Sequence, residues 1–408
     1  MLGDIPTLDD FDLSGKKILL RVDLNTPLDP ETDEFLDDRR FQSHRETLRE
    51  LLDQKCSIVC AAHQGRPGEA DFTTLEKHAK RLSEVADIPI EYVDDIFGSQ
   101  AQKKIKNLGE GECIMLENLR FYSEEVLKRP MDVQAKTYLV LKLAPLFDLY
   151  VNDAFAVSHR SQPSVVGFPQ VMNAAAGRLM EKEVRIIGDI HENPRKPVTF
   201  ILGGTKADDG LRVAQKALDS GTDTILVGGV VANILLAAKG YRIGEPSIEF
   251  IRGKKMTEQI DVARGMIQRY GDRIVVPKDV ALAKDGRRVE IPVGELPQNY
   301  RIVDIGHETM KTYKQIISES GTLFFNGALG LFENKLFSYG TMETIKAVAE
   351  SESFSVIGGG HTTAAARETG VVEKISHVSS GGGACVNMLA GYPLPAIDAL
   401  KSSAQIHG

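Results

Sequence analysis

Short apolar runs rich in β-branched residues alternate with amphipathic stretches along the whole chain, and this alternation predicts a parallel α/β protein. In the first half the predicted strands are Lys17–Asn25, Cys56–Ala62, Ile90–Val93, Glu112–Glu117 and Leu149–Asn152, and the predicted helices include Arg40–Leu52, Leu75–Ala86 and Val133–Leu146. Buried strands separated by helical patterns favour parallel pairing through right-handed helical crossovers.

The second half repeats the alternation. Its predicted strands are Val198–Leu202, Thr224–Val227, Arg273–Val276, Thr322–Phe325, Ser355–Ile357 and Ile375–Val378, and its predicted helices include Leu211–Leu218, Val230–Ala238, Thr257–Arg269, Glu308–Ser318 and Met342–Ala349. Ala174–Ile190 has the pattern of one helix and is followed by the polar segment HENPRKP, so a domain boundary is expected near Ala174–Pro197. The predicted fold class is α/β, with two doubly wound parallel-sheet (Rossmann-like) domains.

Length and composition agree with this prediction. The chain has 408 residues, enough for two or three domains, and its 42% apolar and 26% charged residues are ordinary for a soluble protein. A formal net charge of −8 argues against non-specific nucleic-acid binding, which needs a broad basic surface. With no apolar run of membrane-spanning length, no signal-peptide pattern and no CxxC or metal-ligand spacing among the four cysteines, we expect a cytoplasmic protein with reduced thiols.

Positively charged side chains follow several predicted strands of the first half, namely Arg40, His63, Arg66, Arg120 and Arg160. The carboxyl ends of parallel strands share one edge of a sheet, where ligands collect. A guanidinium can bind carboxylate or phosphate through two hydrogen bonds, so the set suits an anion charged at more than one end. The alternative is that each arginine pairs with a local carboxylate on the surface.

Polar residues close to this set leave further choices open. Asp23 and Asn25 end the first strand within RVDLNTP, where they could bind hydroxyl groups, orient an arginine or cap a turn. Arg39 stands directly beside Arg40, and the pattern alone does not distinguish the two.

Glycine-rich turns follow predicted strands of the second half, in FILGGTK, LVGG, VIGGGHT and SSGGGA. A turn of this kind that opens a helix can bind phosphate oxygens through backbone amides, and Lys206 could neutralise charge on a transferred group. Asn326 and Glu333 lie in FFNGALGLFE, and Glu333 could bind ribose hydroxyls. Tight turns without a ligand are the alternative.

Several familiar nucleotide-binding motifs are missing from the sequence. GxxxxGK[ST], GxGxxG, HRD and DFG do not occur, which disfavours a P-loop NTPase, a dinucleotide-dependent dehydrogenase and a protein kinase. Two rival interpretations remain: a nucleotide-binding regulatory protein that has lost its chemistry, and a nicotinamide dehydrogenase on a similar sheet.

The motifs together resemble the phosphoglycerate kinase family over essentially the whole chain. The segments that carry the resemblance are RVDLNTP, HQGRP, LENLRFY, VNDAF with SHR, FILGGTK, FNGALGLFE, VIGGGHT and HVSSGGGA. The resemblance implies that 3-phosphoglycerate binds to Asp23, Asn25, Arg40, His63, Gln64, Gly65, Arg66, Arg120 and Arg160. It implies that ATP or ADP binds to Gly204, Lys206, Gly228, Asn326, Glu333, Gly359, Gly360, His361 and Thr362.

The resemblance also implies the reaction, which is reversible phosphoryl transfer from 1,3-bisphosphoglycerate to Mg-ADP. The expected catalytic groups are Arg40, Lys206, Gly360 and Gly383, with Mg²⁺ carried by the nucleotide and no protein metal site. The implied domains are residues 1–173 with 395–408 for 3-phosphoglycerate, residues 174–196 as helix and linker, and residues 197–394 for the nucleotide. Hinge closure is expected, and the chain would be a monomer or a homodimer.

Two positions depart from the commoner family pattern. His361 stands where an Asp usually follows the glycine triplet, and a neutral imidazole is a poor ligand for Mg²⁺. Gly210 stands where a second lysine is common. The segment Pro277–Ala283 and the compact length suggest an archaeal-type member of the family.

Overall fold

The computed structural model describes residues 5–29 and 31–408. These residues form two compact units: the first contains the described residues up to Gly188 together with Pro393–Gly408, and the second is Asp189–Tyr392. Within the described part of the chain, every helix is too short or too polar to cross a membrane.

The first unit is built on a sheet of six parallel strands. These are β1 (Lys17–Arg21), β2 (Ser57–Ala61), β3 (Ile90–Val93), β4 (Cys113–Leu116), β5 (Leu149–Asn152) and β6 (Ala174–Ala176). Their order across the sheet is β3-β4-β2-β1-β5-β6. The side chains of Ile18, Leu20 and Ile58 are fully buried, because the central strands are covered on both faces.

Helices connect these strands in chain order. They are α1 (Arg39–Ser43), α2 (Arg45–Asp53), α3 (Glu76–Ala86), α4 (Ser99–Asn107), α5 (Met131–Gln134), α6 (Tyr138–Leu143) and α7 (Arg178–Glu192). The sequence pattern predicted single helices over Arg40–Leu52 and Val133–Leu146. Both predictions were wrong in extent, because the first is divided at His44 and the second between Gln134 and Tyr138.

The prediction of one helix over Ala174–Ile190 was also wrong at its start. Ala174–Ala176 forms the edge strand β6, which pairs in parallel with β5, and Gly177 separates it from α7. Alanine favours helices in isolation, but the small buried side chains of these three residues fit the edge of the sheet. The boundary between the two compact units falls within α7.

The second unit has its own sheet of six parallel strands, β7 (Val198–Leu202), β8 (Thr224–Val227), β9 (Ile274–Val275), β13 (Thr322–Asn326), β14 (Phe354–Gly358) and β15 (His377–Val378). Their order is β15-β14-β13-β7-β8-β9. Its helices are α8 (Ala207–Asp219), α9 (Gly229–Ala238), α10 (Glu245–Gly253), α11 (Gln259–Tyr270), α12 (His307–Glu319), α13 (Tyr339–Glu350), α14 (Gly360–Glu368) and α15 (Gly382–Leu389). The predicted fold class of two parallel-sheet α/β domains is therefore confirmed.

A small antiparallel sheet in the second unit was not predicted. It consists of β10 (Asp279–Lys284), β11 (Arg287–Pro292) and β12 (Ile302–Ile305), with β10 in the centre. Only an extended segment, Pro277–Ala283, was noted in the sequence. The hairpin was missed because β11 is mixed and half-exposed, so its alternation is weak.

The C-terminal helix α16 (Pro395–His407) belongs to the first unit. Ala396 and Ala399 are buried with Val157, Val165 and Val166 in one apolar cluster. The hydroxyl of Ser403 donates to the carbonyl of Met172 at 3.1 Å. As expected, the C-terminal segment Pro395–Gly408 packs on the first unit.

Candidate active site

The predicted substrate residues of the first unit lie beyond four neighbouring strands. In the sheet order, β4, β2, β1 and β5 are adjacent, and their carboxyl ends share one edge because all the pairings are parallel. Asp23 and Asn25 follow β1, His63 and Arg66 follow β2, and Arg120 follows β4. Topology therefore places these loops together, as the sequence predicted.

Asp23 and Arg40 form an ion pair at this edge. Nη1 of Arg40 donates to the carboxylate of Asp23, which is 5% exposed, and Arg40 is itself about one-third exposed. Burial is the largest single influence on Asp23 and opposes its ionisation, but the charge of Arg40, together with other neighbouring groups that include Arg21 and the backbone N–H of Asn25, outweighs burial and holds the pKa of Asp23 well below its ordinary value. Arg39 instead donates to Asp37 two residues away, so the structure separates the neighbouring arginines that the sequence could not.

His63 presents an unsatisfied donor. Its Nδ1 lies 2.9 Å from Nη2 of Arg21 and must accept that hydrogen bond, because a guanidinium only donates. Burial, followed by the charge of Arg21, keeps the pKa of His63 well below its ordinary value. The neutral ring therefore carries its proton on Nε2, which is buried and has no hydrogen-bond partner in the described part of the chain.

Arg21 was not predicted as a site residue. It is 1% exposed, and its Nε donates to the hydroxyl of Ser164 at 3.0 Å. That hydroxyl in turn donates to the buried carboxylate of Glu125. Burial raises the pKa of Glu125 above its ordinary value, and Arg21 opposes this only in part. Arg21 ends β1 directly after the apolar residues Ile18, Leu19 and Leu20, so strand periodicity gave no reason to place it in the site.

Arg120 and Arg160 complete the basic group. Burial, followed by the charge of Arg160, lowers the pKa of Arg120 to about 10. Burial also lowers the pKa of Arg160, which interacts with Asp23, Arg66 and Arg21. Arg66 is exposed. Among the residues that the structure describes, none of these three arginines forms a salt bridge, so the alternative of local surface pairs does not hold for them.

The HQGRP loop is shaped by its own hydrogen bonds. The side-chain amide of Gln64 is buried. Its oxygen Oε1 accepts a hydrogen bond from the backbone N–H of Thr26 at 3.0 Å and another from Nε2 of His78. Its side chain therefore supports the loop from within. Gly65 has a φ of +65°, and a Cβ there would lie 2.5 Å from the carbonyl oxygen of Asp71, so only glycine fits. Its backbone N–H donates to Asn25 Oδ1 at 2.9 Å.

A second buried histidine connects the site to the start of α7. Nδ1 of His44 lies 2.7 Å from Asp153 Oδ2, while its Nε2 accepts from the backbone N–H of Asp23 at 3.0 Å. The other oxygen of Asp153 accepts from the backbone of Leu179 at 3.0 Å, in the first turn of α7. Neither His44 nor Asp153 was predicted, because their partners are 109 and 26 residues away along the chain.

In the second unit each predicted glycine turn opens a helix after a parallel strand. Lys206 precedes α8, Gly228 precedes α9, Gly359 precedes α14 and Gly381 precedes α15. The loops after β7 and β8 are both hydrogen-bonded to the loop after β13. The N–H of Gly204 donates to the carbonyl of Ala328 at 2.7 Å, and the N–H of Gly229 donates to the carbonyl of Leu329 at 2.8 Å. The helix N-termini therefore lie at one sheet edge, where they can bind phosphate.

The predicted nucleotide side chains are mostly exposed. Lys206 is exposed, and its side chain forms no hydrogen bond or salt bridge within the described ranges. His361 and Glu333 are 70% and 55% exposed, with 3.8 Å between Nδ1 and Oε1. Thr362 is buried and accepts from the N–H of Gly327 at 2.8 Å, so it braces the loop after β13. Asn326 ends β13, Gly360 begins α14, and Gly383 lies in the first turn of α15.

Gly210, one of the two departures from the family pattern, has a packing explanation. It lies on α8 against α9, and a Cβ at this position would lie 2.9 Å from Cγ2 of Val231. A lysine there would require Val231 to move.

A cavity in the second unit lies against these turns and encloses about 740 Å³, its open mouth included. Gly204, Gly229, Leu329, Glu333 and His361 line it, as the glycine turns predict. Other lining residues were missed; they are Asn233 on α9, Ser247 and Phe250 on α10, Val280 on β10, and Arg301 immediately before β12. This size is typical of a small-molecule site.

Asp304 supports the wall of the cavity. It is fully buried, forms a salt bridge with Arg288 at 2.7 Å and accepts from the N–H of Gly340 at 3.0 Å. Burial raises the pKa of Asp304 to about 6 in spite of Arg288. Within the described ranges, no three His, Cys, Asp or Glu side chains converge as metal ligands would.

The sequence and structure of this chain are similar to those of known proteins across both units. The family model for phosphoglycerate kinase matches residues 8–392. The phosphoglycerate kinase of Methanothermobacter thermautotrophicus is 50% identical over 97% of each chain, and that of Methanococcus maripaludis is 47% identical over 98% of this chain and 99% of its own. The crystal structure of the Pyrococcus horikoshii enzyme aligns with a TM-score of 0.92 at 39% identity, covering 98% of this chain and all of its own. The chain therefore belongs to the phosphoglycerate kinase family.

Proposed function

We propose that the first unit binds 3-phosphoglycerate, that the second binds the nucleotide, and that the acyl phosphate of 1,3-bisphosphoglycerate passes to Mg-ADP to give 3-phosphoglycerate and ATP. The reaction is reversible and serves glycolysis and gluconeogenesis. We further propose a cytoplasmic enzyme, either a monomer or a homodimer. The proposed division is residues 1–173 with 395–408 for the sugar acid, and 197–394 for the nucleotide.

The observation that carries this proposal is the excess of buried positive charge in the first unit. Arg120 and Arg160 have lowered pKa values because each is buried and lies near other arginines. The carboxylates that interact with them and with Arg21 are Asp23 and Glu125, and the pKa of Glu125 is raised. An anion in the same space would offset the free-energy cost of burying these positive charges close together. A molecule with a carboxylate at one end and a phosphate at the other supplies that charge.

The free Nε2 donor of His63 supports the same ligand. A buried donor without a partner costs about 1–3 kcal/mol, and a ligand oxygen removes this cost. The pKa shift of His63 keeps the ring neutral near pH 7, so its contribution is a hydrogen bond and an orientation. Asp23 and Asn25 would bind the hydroxyl group or hold Arg40 and the Gly65 backbone in place.

In the second unit the phosphates would bind to backbone amides at the starts of α8, α14 and α15, with Lys206 as the added positive charge. Mg²⁺ would arrive with the nucleotide and neutralise charge on its phosphates. Phosphate oxygens and water would hold the ion, because His361 follows the glycine triplet and an imidazole suits Mg²⁺ poorly.

No general base is needed for this transfer. The carboxylate of 3-phosphoglycerate is already ionised and attacks the terminal phosphorus of ATP directly. The proposed work of the protein is to align the two ligands and to stabilise charge on the moving group, through Arg40, Lys206 and the amides of Gly360 and Gly383. Because Arg40 is bonded to Asp23 in this structure, its guanidinium is held ready for that role.

Two measurements on the purified chain test the proposal. The first is ATP formation from enzymatically generated 1,3-bisphosphoglycerate and ADP, with and without Mg²⁺. The second is calorimetric binding of 3-phosphoglycerate to His63→Phe, which removes the free donor. We expect 3-phosphoglycerate to bind roughly 10-fold to 100-fold more weakly and ADP to bind unchanged, since a hydrogen bond to a charged group contributes about 1.5–3 kcal/mol. Unchanged 3-phosphoglycerate affinity would remove His63 from the site, and absent turnover would favour the regulatory-protein alternative.

A further inference from the structure

Glu125 is a buried carboxylate that the proposed transfer does not use. It lies between β4 and α5, is 1% exposed, and forms no salt bridge within the described ranges. Both of its oxygens are bonded to Ser164, between β5 and β6: Oε1 accepts from the hydroxyl, and Oε2 accepts from the backbone N–H at 3.1 Å. These two hydrogen bonds fix the carboxylate and offset part of the cost of burying it.

The hydroxyl of Ser164 connects Glu125 to Arg21. The hydroxyl oxygen accepts from Nε of Arg21 at 3.0 Å, while its proton is donated to Glu125. A hydroxyl has one donor, and a guanidinium only donates. The direction of both hydrogen bonds is therefore fixed, and Glu125 takes part as a carboxylate, because a protonated Glu125 would leave the Ser164 proton without this acceptor.

Arg21 is held by the protein at all three of its side-chain nitrogens. Nε is bonded to Ser164, Nη1 donates to the carbonyl of Val22, and Nη2 donates to Nδ1 of His63 at 2.9 Å. A guanidinium is planar and rigid, so a shift at one nitrogen moves the other two. The position of the donor to His63 therefore depends on Ser164 and Glu125, at the opposite end of the guanidinium.

We propose that Glu125 and Ser164 are positioning residues for the binding of 3-phosphoglycerate, and that they act through the buried Arg21. Arg21 keeps Nδ1 of His63 as a hydrogen-bond acceptor, so that the ring offers its Nε2–H donor to the ligand. Within the described chain, Arg21 alone hydrogen-bonds to this ring. The inference rests on the proposed function, because it concerns the same substrate in the same unit.

Nitrogen-15 NMR of the ligand-free chain, with labelled histidine, tests the connection to the ring. The resonance of an unprotonated ring nitrogen responds to the donor that bonds to it, and Arg21→Met gives the position without that donor. We expect Ser164→Ala and Glu125→Gln to move the Nδ1 resonance of His63 towards its position in Arg21→Met. His63→Phe removes the signal and so assigns it.

Calorimetric binding of 3-phosphoglycerate measures the consequence for the ligand. Ser164→Ala keeps every charge, so a lower affinity reports a loss of orientation. We expect roughly 3-fold to 10-fold weaker binding of 3-phosphoglycerate and unchanged binding of ADP. Glu125→Gln separates orientation from charge, because the loss of a carboxylate near Arg21 would by itself strengthen the binding of an anion. We expect weaker binding in this variant too, and stronger binding would overturn the inference.

Tyr150→Phe is the matched control, because the buried hydroxyl of Tyr150 donates to the backbone carbonyl of Ser164 at 2.7 Å. This variant loses a hydrogen bond to the same residue but keeps every hydrogen-bond partner of Arg21. Its Nδ1 resonance should be unchanged, and its 3-phosphoglycerate affinity should stay within about 2-fold of the original. Equal effects of Tyr150→Phe and Ser164→Ala, in variants with normal thermal transitions, would mean that Ser164 supports only the fold, and would overturn the inference.

A combined variant shows whether the effect passes through His63. In the His63→Phe chain, Ser164→Ala should weaken 3-phosphoglycerate binding by at most about 2-fold more, and an undiminished loss would overturn the inference. If the unaltered chain does not bind 3-phosphoglycerate, the proposed function fails, yet the Nδ1 resonance still decides whether Ser164 and Glu125 control the ring. If the unaltered chain binds it and that resonance is the same in every variant, the proposed function stands and the inference fails.

Discussion

In the proposed function each unit binds a phosphorylated anion, and the two units offer different groups for that purpose. The first uses buried side chains: Arg21, His63 and Arg120 are each at most 5% exposed. The second uses backbone amides at helix starts, and its charged side chains are exposed, as Lys206 and His361 illustrate. Side chains with fixed partners select a particular arrangement of charge, whereas amides at a helix start accept any phosphate oxygen.

This difference has an energetic consequence. Buried charges strongly perturb one another, so most of the large pKa shifts that bear on binding belong to the first unit, at Asp23, His63 and Arg120. An exposed lysine is screened by water and salt, and replacing it affects binding less. Substitutions should therefore have larger effects at the first site than at the second.

Arg40→Ala should show the largest effect. Its guanidinium lies against Asp23 and is proposed to stabilise the moving phosphoryl group, so kcat should fall by on the order of 10²–10³, while the affinity for ADP stays unchanged. Steady-state kinetics with calorimetric ADP binding measures both quantities. Arg39→Ala is the control, because Arg39 is bonded to Asp37 and should be replaceable without loss of turnover.

Removing Arg40 also leaves the buried carboxylate of Asp23 without its ion-pair partner, so the folded state of the variant must be confirmed by its thermal transition. A folded Arg40→Ala protein with nearly normal kcat would show that the first unit supplies binding and no catalysis. An equal loss of kcat in Arg39→Ala would mean that the different partners of Arg39 and Arg40 do not give them different roles in turnover.

Two buried groups, one in each unit, should change the stability of the protein in opposite directions as the pH falls. Burial lowers the pKa of His78, in the first unit, from 6.5 to about 4. Between these values the unfolded chain binds the proton and the folded chain does not, so stability is lost as pH falls from 6.5 towards 4, at about 1.4 kcal/mol per pH unit. Burial raises the pKa of Asp304, in the second unit, from 3.8 to about 6. Here the folded state binds the extra proton, so stability increases as pH falls through 6.

Hydrogen exchange read by mass spectrometry, on peptides from each unit at pH 6.5 and pH 4.5, measures these two trends after correction for the intrinsic exchange rate. His78→Gln should reduce the acid sensitivity of the first unit, since glutamine keeps a donor for Gln64 but does not titrate. Asp304→Asn should remove the acid stabilisation of the second. If both units gained or both lost protection on acidification, and neither His78→Gln nor Asp304→Asn altered that change, the proposed difference in buried charge would be contradicted.

Much of this comparison could be predicted from the sequence. The strands β3, β5, β7 and β8 have the predicted bounds, because apolar runs between turn residues specify buried strands well. The loops that carry His63, Arg120 and the glycine turns were also predicted, since the edge of a parallel sheet collects whatever follows its strands.

The remainder depends on contacts that no local pattern encodes. In the sequence, Arg21 is a single charged residue after an apolar run. Its position depends on the hydrogen bond to Ser164, which is 143 residues away along the chain. Arg301 precedes a strand of a sheet whose pairing was not predicted, so nothing placed it beside Phe250. The site residues that lie within sequence motifs could be predicted because each motif is a short continuous segment. Residues such as Arg21 and Arg301 could not, because tertiary packing alone brings them to the site.

The smallest expected effect concerns the exposed end of the second site. His361→Asp should lower the Mg²⁺ concentration needed for half-maximal ADP binding by about 2-fold to 5-fold, because a carboxylate oxygen is a better Mg²⁺ ligand than an imidazole nitrogen. His361→Asn, which keeps a neutral polar group, should change it less. Calorimetric ADP titrations at several Mg²⁺ concentrations measure the shift without requiring turnover. The effect is small because His361 is 70% exposed and its carboxylate neighbour Glu333 is 3.8 Å away, so water competes for the ion throughout. A change of 100-fold in either variant would mean that the second site, like the first, depends on one fixed side chain.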